Sequence, residues 1–408
     1  MPRLNIDSGY ISRRLSQLLE IPSPTGYTDT IVRECCQELQ RLGVRFEVTR
    51  RGGIRAFIPG RTDRPARAIV SHLDTLGAQV KLLKDNGRLE LVPIGHWSAR
   101  FAEGARATIF SERGAFRGTI LPIKASGHTF NDEIDSLPVG WPYVELRIDA
   151  VARSAADVRR LGIDVGDIVA IDPAPEFLEN GFIVSRHLDN KAGAAVMFAA
   201  MDAILKGKAE LTVDTFFVFT IAEEVGNGAA SILTPDVASM ITVDNGTTAP
   251  GQNSDEFGVT ICMADETGPF DYHLTKALVQ LCRENEIRFQ KDIFRYYRSD
   301  SASAIVAGAD IRTALITFGV DASHGYERIH LHALRSLAEL ITAYVTSPVA
   351  IRRDADEFSQ SLRDFPRQPM AEAEAQINEV EEPPPEPEPA AEAPRRNARR
   401  KRAARAPG

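Results

Sequence analysis

The sequence predicts an α/β fold, a mostly parallel sheet with helices on both faces, interrupted by an inserted small β-rich barrel or sandwich. Three observations carry this. Helical and strand-like periodicities alternate at both ends of the globular part, short β-rich pieces fill the stretch between them, and acidic or imidazole residues stand where apolar runs stop. With 408 residues and 43% hydrophobic content, the chain can bury more than one core.

Asp7 and Ser8 form a cap signal ahead of the helical spacing in ISRRLSQLLEI. After the turn PSPTGYTD, a second helix runs through TIVRECCQELQRLG to a glycine stop. FEVTR, GIRAFIPG and RAIVSHLD then read as strands bounded by Gly, Pro and charged turns, so residues 1–76 open an α/β domain. Residues 77–181 differ. There QVKLLKD, GRLELVPI, GAFRGTILPI, YVELRIDA and GDIVAID follow one another closely, with SAADVRRLG as the single helix, which predicts an inserted barrel or sandwich.

Alternation resumes over 182–350. Helices are expected in DNKAGAAVMFAAMDAILKG, GAASIL, FDYHLTKALVQLCREN, RSDSASAIVAG and IHLHALRSLAELITAYV, and strands in LTVDTFFVFTIA, ASMITVDNG and RTALITFGV. From residue 354 the chain turns acidic and Pro-rich and then ends in RRNARRKRAARAPG, a composition that predicts a disordered tail over 354–408. Its basic end reads as a solvated tail or as a weak electrostatic contact for nucleic acid, membrane or an acidic partner.

The formal net charge of -8 argues against a chain built as a whole to bind nucleic acid. Cys35, Cys36, Cys262 and Cys282 show no CxxC spacing and read as core-filling thiols. No basic segment leads into an apolar one at the start, and no apolar run reaches the roughly 18 residues that a membrane span needs. The expected location is the cytoplasm.

Ligands of open α/β sheets bind beyond the carboxyl ends of the strands. Those ends carry His72 and Asp74 in SHLD, Glu223 and Glu224 in TIAEEVG, and Asp244 in TVDNG. Asp189 in SRHLDNKAG opens a helix, and His324 in DASHGYER follows the last strand. Each residue alone has a plain structural explanation as a cap, a turn former or a solvated charge. Gathered at one edge, the carboxylates would repel one another unless a cation sat among them.

Carboxylate and imidazole donors without thiolates suit zinc, cobalt or manganese, and two such ions form the usual hydrolytic clamp. Two His and three acids suffice for a pair of ions if one carboxylate bridges them, which leaves one glutamate of the pair to move protons. Adjacent strand residues point to opposite faces, so the pair can share a site only if the backbone leaves strand geometry there. The Val225-Gly226-Asn227-Gly228 turn permits it. Neither a GxSxG elbow nor a Walker pattern occurs, and GNGAAS lacks the third glycine of a dinucleotide loop.

SHLD, RHLDNKAG, AEEVG, VDNG and the late SHG, in this order and with a β-rich insertion between the first two, resemble the M42 family of dinuclear metallo-aminopeptidases, of the glutamyl and tetrahedral aminopeptidase type. The resemblance covers about residues 5 to 348. It implies that His72 and Asp244 bind one divalent ion, Glu224 and His324 the other, and that Asp189 bridges them. Glu223 matches the general base, and Asp74 the acid that orients His72. It further implies two divalent metal ions per subunit, zinc or cobalt with manganese as an option, a peptide substrate cut at its N-terminal bond, and a homo-oligomer built from dimers, up to a dodecamer.

The chain departs from the family pattern at Thr75-Leu76-Gly77, at Ala222 and in the ASHGYER turn, positions that border the site. In this it resembles a divergent branch associated with osmoprotectant peptide gene clusters. A second reading is therefore a metal-dependent amidohydrolase acting on N-acylated or modified dipeptides. A non-catalytic scaffold is a third, which the full set of seven competent residues disfavours.

Overall fold

In the computed structural model, residues 3–356 and 358–369 are described, and the acidic and Arg-rich remainder of the expected tail lies outside them. Helices α1 (Ser8–Leu19) and α2 (Asp29–Leu42) come first. The Asp7 carboxylate accepts the Tyr10 N–H to cap α1, a contact worth about 1 kcal/mol, and Gly43, with φ 71°, closes α2 in the left-handed conformation that glycine adopts without strain. Strands β1 (Arg45–Val48), β2 (Ile54–Ile58) and β3 (Gly60–His72) follow.

Six strands then leave the sheet. They are β4 (Gly77–Leu83), β5 (Leu89–Ile94), β6 (Arg106–Ser111), β7 (Gly114–Pro122), β8 (Val144–Ile148) and β9 (Ile168–Ile171), which close into a barrel in the order β4-β5-β8-β7-β6-β9. All the barrel pairs are antiparallel. Alternate residues such as Val80, Leu91, Ile109, Ile120, Leu146 and Val169 fill its interior. A short helix, α3 (Gly127–Phe130), and the expected α4 (Ala155–Leu161) decorate it.

The chain returns through β10 (Glu176–Phe177) and β11 (Phe182–Ser185) to the long α5 (Leu188–Lys206), then β12 (Leu211–Thr220), β13 (Val237–Thr247), β14 (Val259–Asp265) and β15 (Gly268–Pro269). Helix α6 (Tyr272–Glu284), β16 (Phe289–Ile293), α7 (Asp300–Val306), β17 (Arg312–Val320), β18 (Glu327–His330) and α8 (Leu331–Thr346) complete it. The main sheet runs β1-β2-β12-β3-β13-β17-β14-β15, with β16 beside β14. Its centre, β12-β3-β13-β17, is parallel, whereas β2-β12 and β14-β17 are antiparallel and mark its flanks.

Strand alternation sets the two faces. Ile69, Phe217, Phe219 and Ile241 join α1, α5, α6 and α8 in the larger core, while Ala68, Val70, Val218 and Met240 pack with Ala304 of α7 on the other face. The two-turn α7 is thus the helix of the second face, and the expected GAASIL helix is absent, since Ala229–Leu233 is a run of turns. The Asp300 carboxylate and the Ser303 hydroxyl both take the Ala229 N–H, and Gly228 sits so close that an added Cβ would lie 1.9 Å from Asp300 Oδ1. Side chains of α7 thus tie the Ala229 N–H across the fold and hold the segment as a turn.

The last expected helix also starts later, because Ile329 and His330 belong to β18 and the His330 ring accepts the His332 N–H to begin α8. Asp354 is bound to Arg312 by two hydrogen bonds, of 2.5 and 3.1 Å, at the start of the expected tail. Among the described residues no helix is long and apolar enough to cross a membrane. All four cysteines are free thiols.

Candidate metal centre

Parallel strands stop together. In register, Thr220 at the end of β12 lies beside His72 at the end of β3, and Asp244 follows Thr242, the partner of Val70, so it reaches the same level. After Thr220 the chain leaves strand geometry in a turn where Gly226 N–H donates to Glu223 O at 2.6 Å, with Gly226 at φ 77°. Both glutamates of the pair therefore face one side. The Asp74 carboxylate fixes them there by accepting the Glu223 N–H at 3.1 Å and the Glu224 N–H at 3.3 Å, while Thr25 Oγ1 donates to it at 2.6 Å.

Asp189 enters from the first turn of α5, where its own φ/ψ of -73° and 107° and those of Asn190 are non-helical. Its two oxygens divide between two imidazoles: Oδ1 is 3.1 Å from His72 Nε2, and Oδ2 is 3.2 Å from His324 Nε2. His72 Nε2 also faces Glu223 Oε2 at 3.7 Å and Asp244 Oδ1 at 3.8 Å, and His324 Nε2 faces Glu224 Oε2 at 3.7 Å. All seven residues singled out in the sequence thus meet in one place.

The second nitrogen of each ring is tied to the main chain. His72 Nδ1 lies 2.9 Å from the Asp74 carbonyl, nearer than the 3.6 Å to that residue's carboxylate, and His324 Nδ1 lies 2.8 Å from the carbonyl of His96, a residue of the inserted domain. With Nδ1–H donating to a carbonyl, it is Nε2 that faces the centre, and once Nε2 gives up its proton its lone pair is the one aimed at a cation. Asp74 thus meets His72 Nδ1 with its carbonyl at 2.9 Å and with its carboxylate at 3.6 Å, while the same carboxylate also binds Thr25 and the glutamate pair.

Three supporting residues have no local mark in the sequence. Glu327 is buried and accepts the Asp189 N–H at 3.1 Å and the His324 N–H at 3.0 Å. Asn245 donates to Asp189 Oδ2 at 2.5 Å, and Asp300 accepts from Thr220 Oγ1 at 2.6 Å as well as from Ala229. The one available hint for Glu327 is its place three residues after His324, within the turn that bears it.

Electrostatics make the cluster a candidate for a cation. Burial pushes Glu223 well above the usual carboxylate range, Glu224 and Glu327 up to about 8, and Asp300 up to about 6. Burial also raises Asp244, with the charge of Asp189 adding to it. Burial likewise opposes ionisation of Asp189, but its hydrogen bonds to His324 and His72 outweigh that and hold it low. For the imidazoles burial works against the charge, yet the surrounding carboxylates win and raise His72 well above its ordinary value and His324 to about 11. Glu224 Oε1 is buried without a hydrogen-bond partner among the described residues, and ligand atoms of His72, Asp189 and Glu224 all lie within 4.8 Å of one another. An orphaned carboxylate oxygen among hard donors fits a divalent cation.

A family model, M42 glutamyl aminopeptidase, matches residues 52–340, which include His72, Asp74, Asp189, Glu223, Glu224, Asp244 and His324. The chain belongs to the M42 family. Its relatives include YhfE of Bacillus subtilis (strain 168), 38% identical over 336 residues, which covers 82% of this chain and 97% of that protein. Among solved structures of the M42 fold, a TET aminopeptidase from the marine sediment archaeon Thaumarchaeota archaeon SCGC AB-539-E09 superposes with a TM-score of 0.77 at 18% identity, covering 85% of this chain and 98% of that one. The Pyrococcus horikoshii TET1 peptidase, described as able to assemble into a tetrahedron or a large octahedral shell, matches with a TM-score of 0.73 at 20% identity over 83% of this chain and 100% of that one. M42 membership makes the chain a hydrolase of the aminopeptidase class.

Proposed function

We propose that this chain removes N-terminal residues from peptides by hydrolysis at a centre of two divalent cations. His72 and Asp244 would hold one ion, Glu224 and His324 the other, and Asp189 would offer an oxygen to each. The observation that carries the reading is the division of the Asp189 carboxylate, one oxygen at 3.1 Å from His72 and the other at 3.2 Å from His324. Zinc or cobalt suits this donor set, with manganese as a further option. Bound cations would supply Lewis acidity and lower the cost of deprotonating water.

The protein's own groups do the rest. Glu223 is the carboxylate left over, with its side chain 15% accessible against 3% for Glu224, so it is the one that can reach incoming substrate. Burial lifts its affinity for a proton. It can therefore take a proton from the attacking water and return it to the leaving amine, as a general base and then a general acid. Asp74 positions it, through the main-chain N–H, and leaves its carboxylate free to move.

Assembly into a homo-oligomer built from dimers, up to a dodecamer, belongs to the same reading and is supported by the TET1 assemblies. The inserted barrel, taken as residues 77–181, is the segment we assign to assembly or substrate access. A cytoplasmic location accords with four free thiols. The divergent turn at Ala322–Tyr326 keeps a second substrate class in play, N-acylated or modified dipeptides. Mass spectrometry of peptides with free or acetylated N-termini, incubated with cobalt- or zinc-loaded and chelated protein, tests this. Stepwise loss of residues from free peptides alone, abolished by chelation, is the expected result, whereas cleavage confined to blocked dipeptides would replace the exopeptidase with an amidohydrolase.

A further inference from the structure

Tyr297 stands at the centre without an assigned task. It lies in the loop between β16 and α7, where its ring packs on Phe294 at 5.3 Å between centroids and against the cluster of Cys262, Phe270, Phe294 and Leu315. Its own carbonyl accepts the Glu266 N–H at 3.1 Å, which anchors the loop. The hydroxyl is buried and faces Asp244, with Asp189 and Glu223 near enough to act on its charge, yet among the described residues no acceptor meets it with the distance and angle of a formed hydrogen bond. Asp244 Oδ1 already accepts the Asn245 N–H at 2.7 Å and faces His72.

A buried hydroxyl without an acceptor is uncommon and calls for a reason. A phenol ordinarily titrates near 10, so at neutral pH it presents a donor. Among the described residues the nearest carboxylate, Asp244, is already engaged with Asn245 and His72, and the accessible member of the neighbourhood is Glu223, which marks the side from which substrate arrives. An acceptor that comes with substrate and becomes anionic during hydrolysis is the carbonyl oxygen of the bond being cut.

We propose that Tyr297 is a catalytic residue whose hydroxyl donates a hydrogen bond to the carbonyl oxygen of the scissile peptide bond. The inference rests on the exopeptidase reading above. As water attacks, its proton passes to Glu223, the new C–O bond forms, and the carbonyl π pair moves onto the oxygen that Tyr297 holds. The Tyr297 O–H bond stays intact throughout. On collapse the pair returns, the C–N bond breaks, and the proton on Glu223 goes to the amine. Because the donor acts on charge that develops during the reaction, it lowers the barrier more than it tightens the ground-state complex.

Tyr297→Phe removes the hydroxyl and keeps the ring on Phe294. In cation-loaded protein the expected outcome is a loss of about 10² to 10³ in kcat with KM changed by less than about threefold. Cation content by elemental analysis should match that of the unsubstituted protein. By calorimetry, a phosphinic dipeptide analogue with tetrahedral geometry should bind more weakly in the variant by about the factor lost in kcat/KM, while the product amino acid binds equally to both. Unchanged kcat, or equal weakening of both ligands, would overturn the role while leaving the exopeptidase intact. Loss of bound cation would overturn it too, in favour of a support for Asp244. If the unsubstituted protein cleaves no peptide with a free N-terminus, the underlying reading itself falls.

Discussion

Glu223 and Glu224 are neighbours in sequence with different surroundings, and they should fail differently. Glu223→Gln is expected to keep its cations, by elemental analysis after dialysis, and to lose about 10² to 10⁴ in rate. Glu224→Gln should lose cation under the same dialysis, since Oε1 has no hydrogen-bond partner and Oε2 lies 3.7 Å from His324. Much of this site was legible because its residues stand at the ends of apolar runs, where a charge needs an explanation: His72 closes β3, the glutamate pair follows β12, and Asp244 lies near the end of β13. Glu327, Asn245 and Tyr297 were not legible, for a physical reason. Glu327 acts on the main chain of Asp189, 138 residues away, and a contact of that kind leaves no local pattern of charge or hydropathy.

Among the elements, the segment from Ile221 to Leu233 shows where local reading stops. GAASIL has helix-forming composition, but its Ala229 N–H is bound by Asp300 and Ser303 of α7, and Asp300 also accepts from the Thr220 hydroxyl, so one carboxylate grips the chain on both sides of the Glu223–Glu224 turn. Asp300→Ala is expected to release that turn, lowering Tm by several degrees and kcat by about tenfold or more, with differential scanning calorimetry and steady-state rates as the measurements. Strands β14 and β16 are not among the strands expected from the sequence. FQKDI in β16 has one buried position among five, so no apolar alternation distinguishes it from a loop; its strand character comes from pairing with β14. The central strands β3, β12, β13 and β17, with long apolar runs buried on both faces, carried their own signal.

For the molecule as a whole, the centre should make stability depend on pH in a definite direction when cations are stripped. Glu224 and Glu327, raised by burial from an ordinary 4.5 to about 8, bind protons more tightly folded than unfolded. The stability they lend is complete below about pH 4.5 and is lost as pH rises to about 8. His324, raised from 6.5 to about 11 by Glu224 and Asp189 against the opposing effect of burial, works in the same sense above pH 6.5. Chelated protein is therefore expected to lose at least about 4 °C of Tm between pH 5 and pH 8, and zinc-loaded protein clearly less, because a bound cation replaces the proton. Equal slopes for the two forms would count against cation binding by these carboxylates.

The barrel enters the same balance through the turn at Gly95, where φ is 81° and an added Cβ would lie 2.5 Å from Leu76 Cδ2. Gly95→Ala should shift the turn, misalign His324 and weaken cation binding by about tenfold in calorimetry without altering a ligand. The contact that holds His324 is a main-chain carbonyl, present whatever side chain residue 96 bears, and the His96 side chain is exposed. Position 96 is thus suited to a reporter: a dye coupled to a cysteine there would sit on the far side of the His324 ring from the centre, and its fluorescence is expected to record filling and emptying of the ion sites in real time.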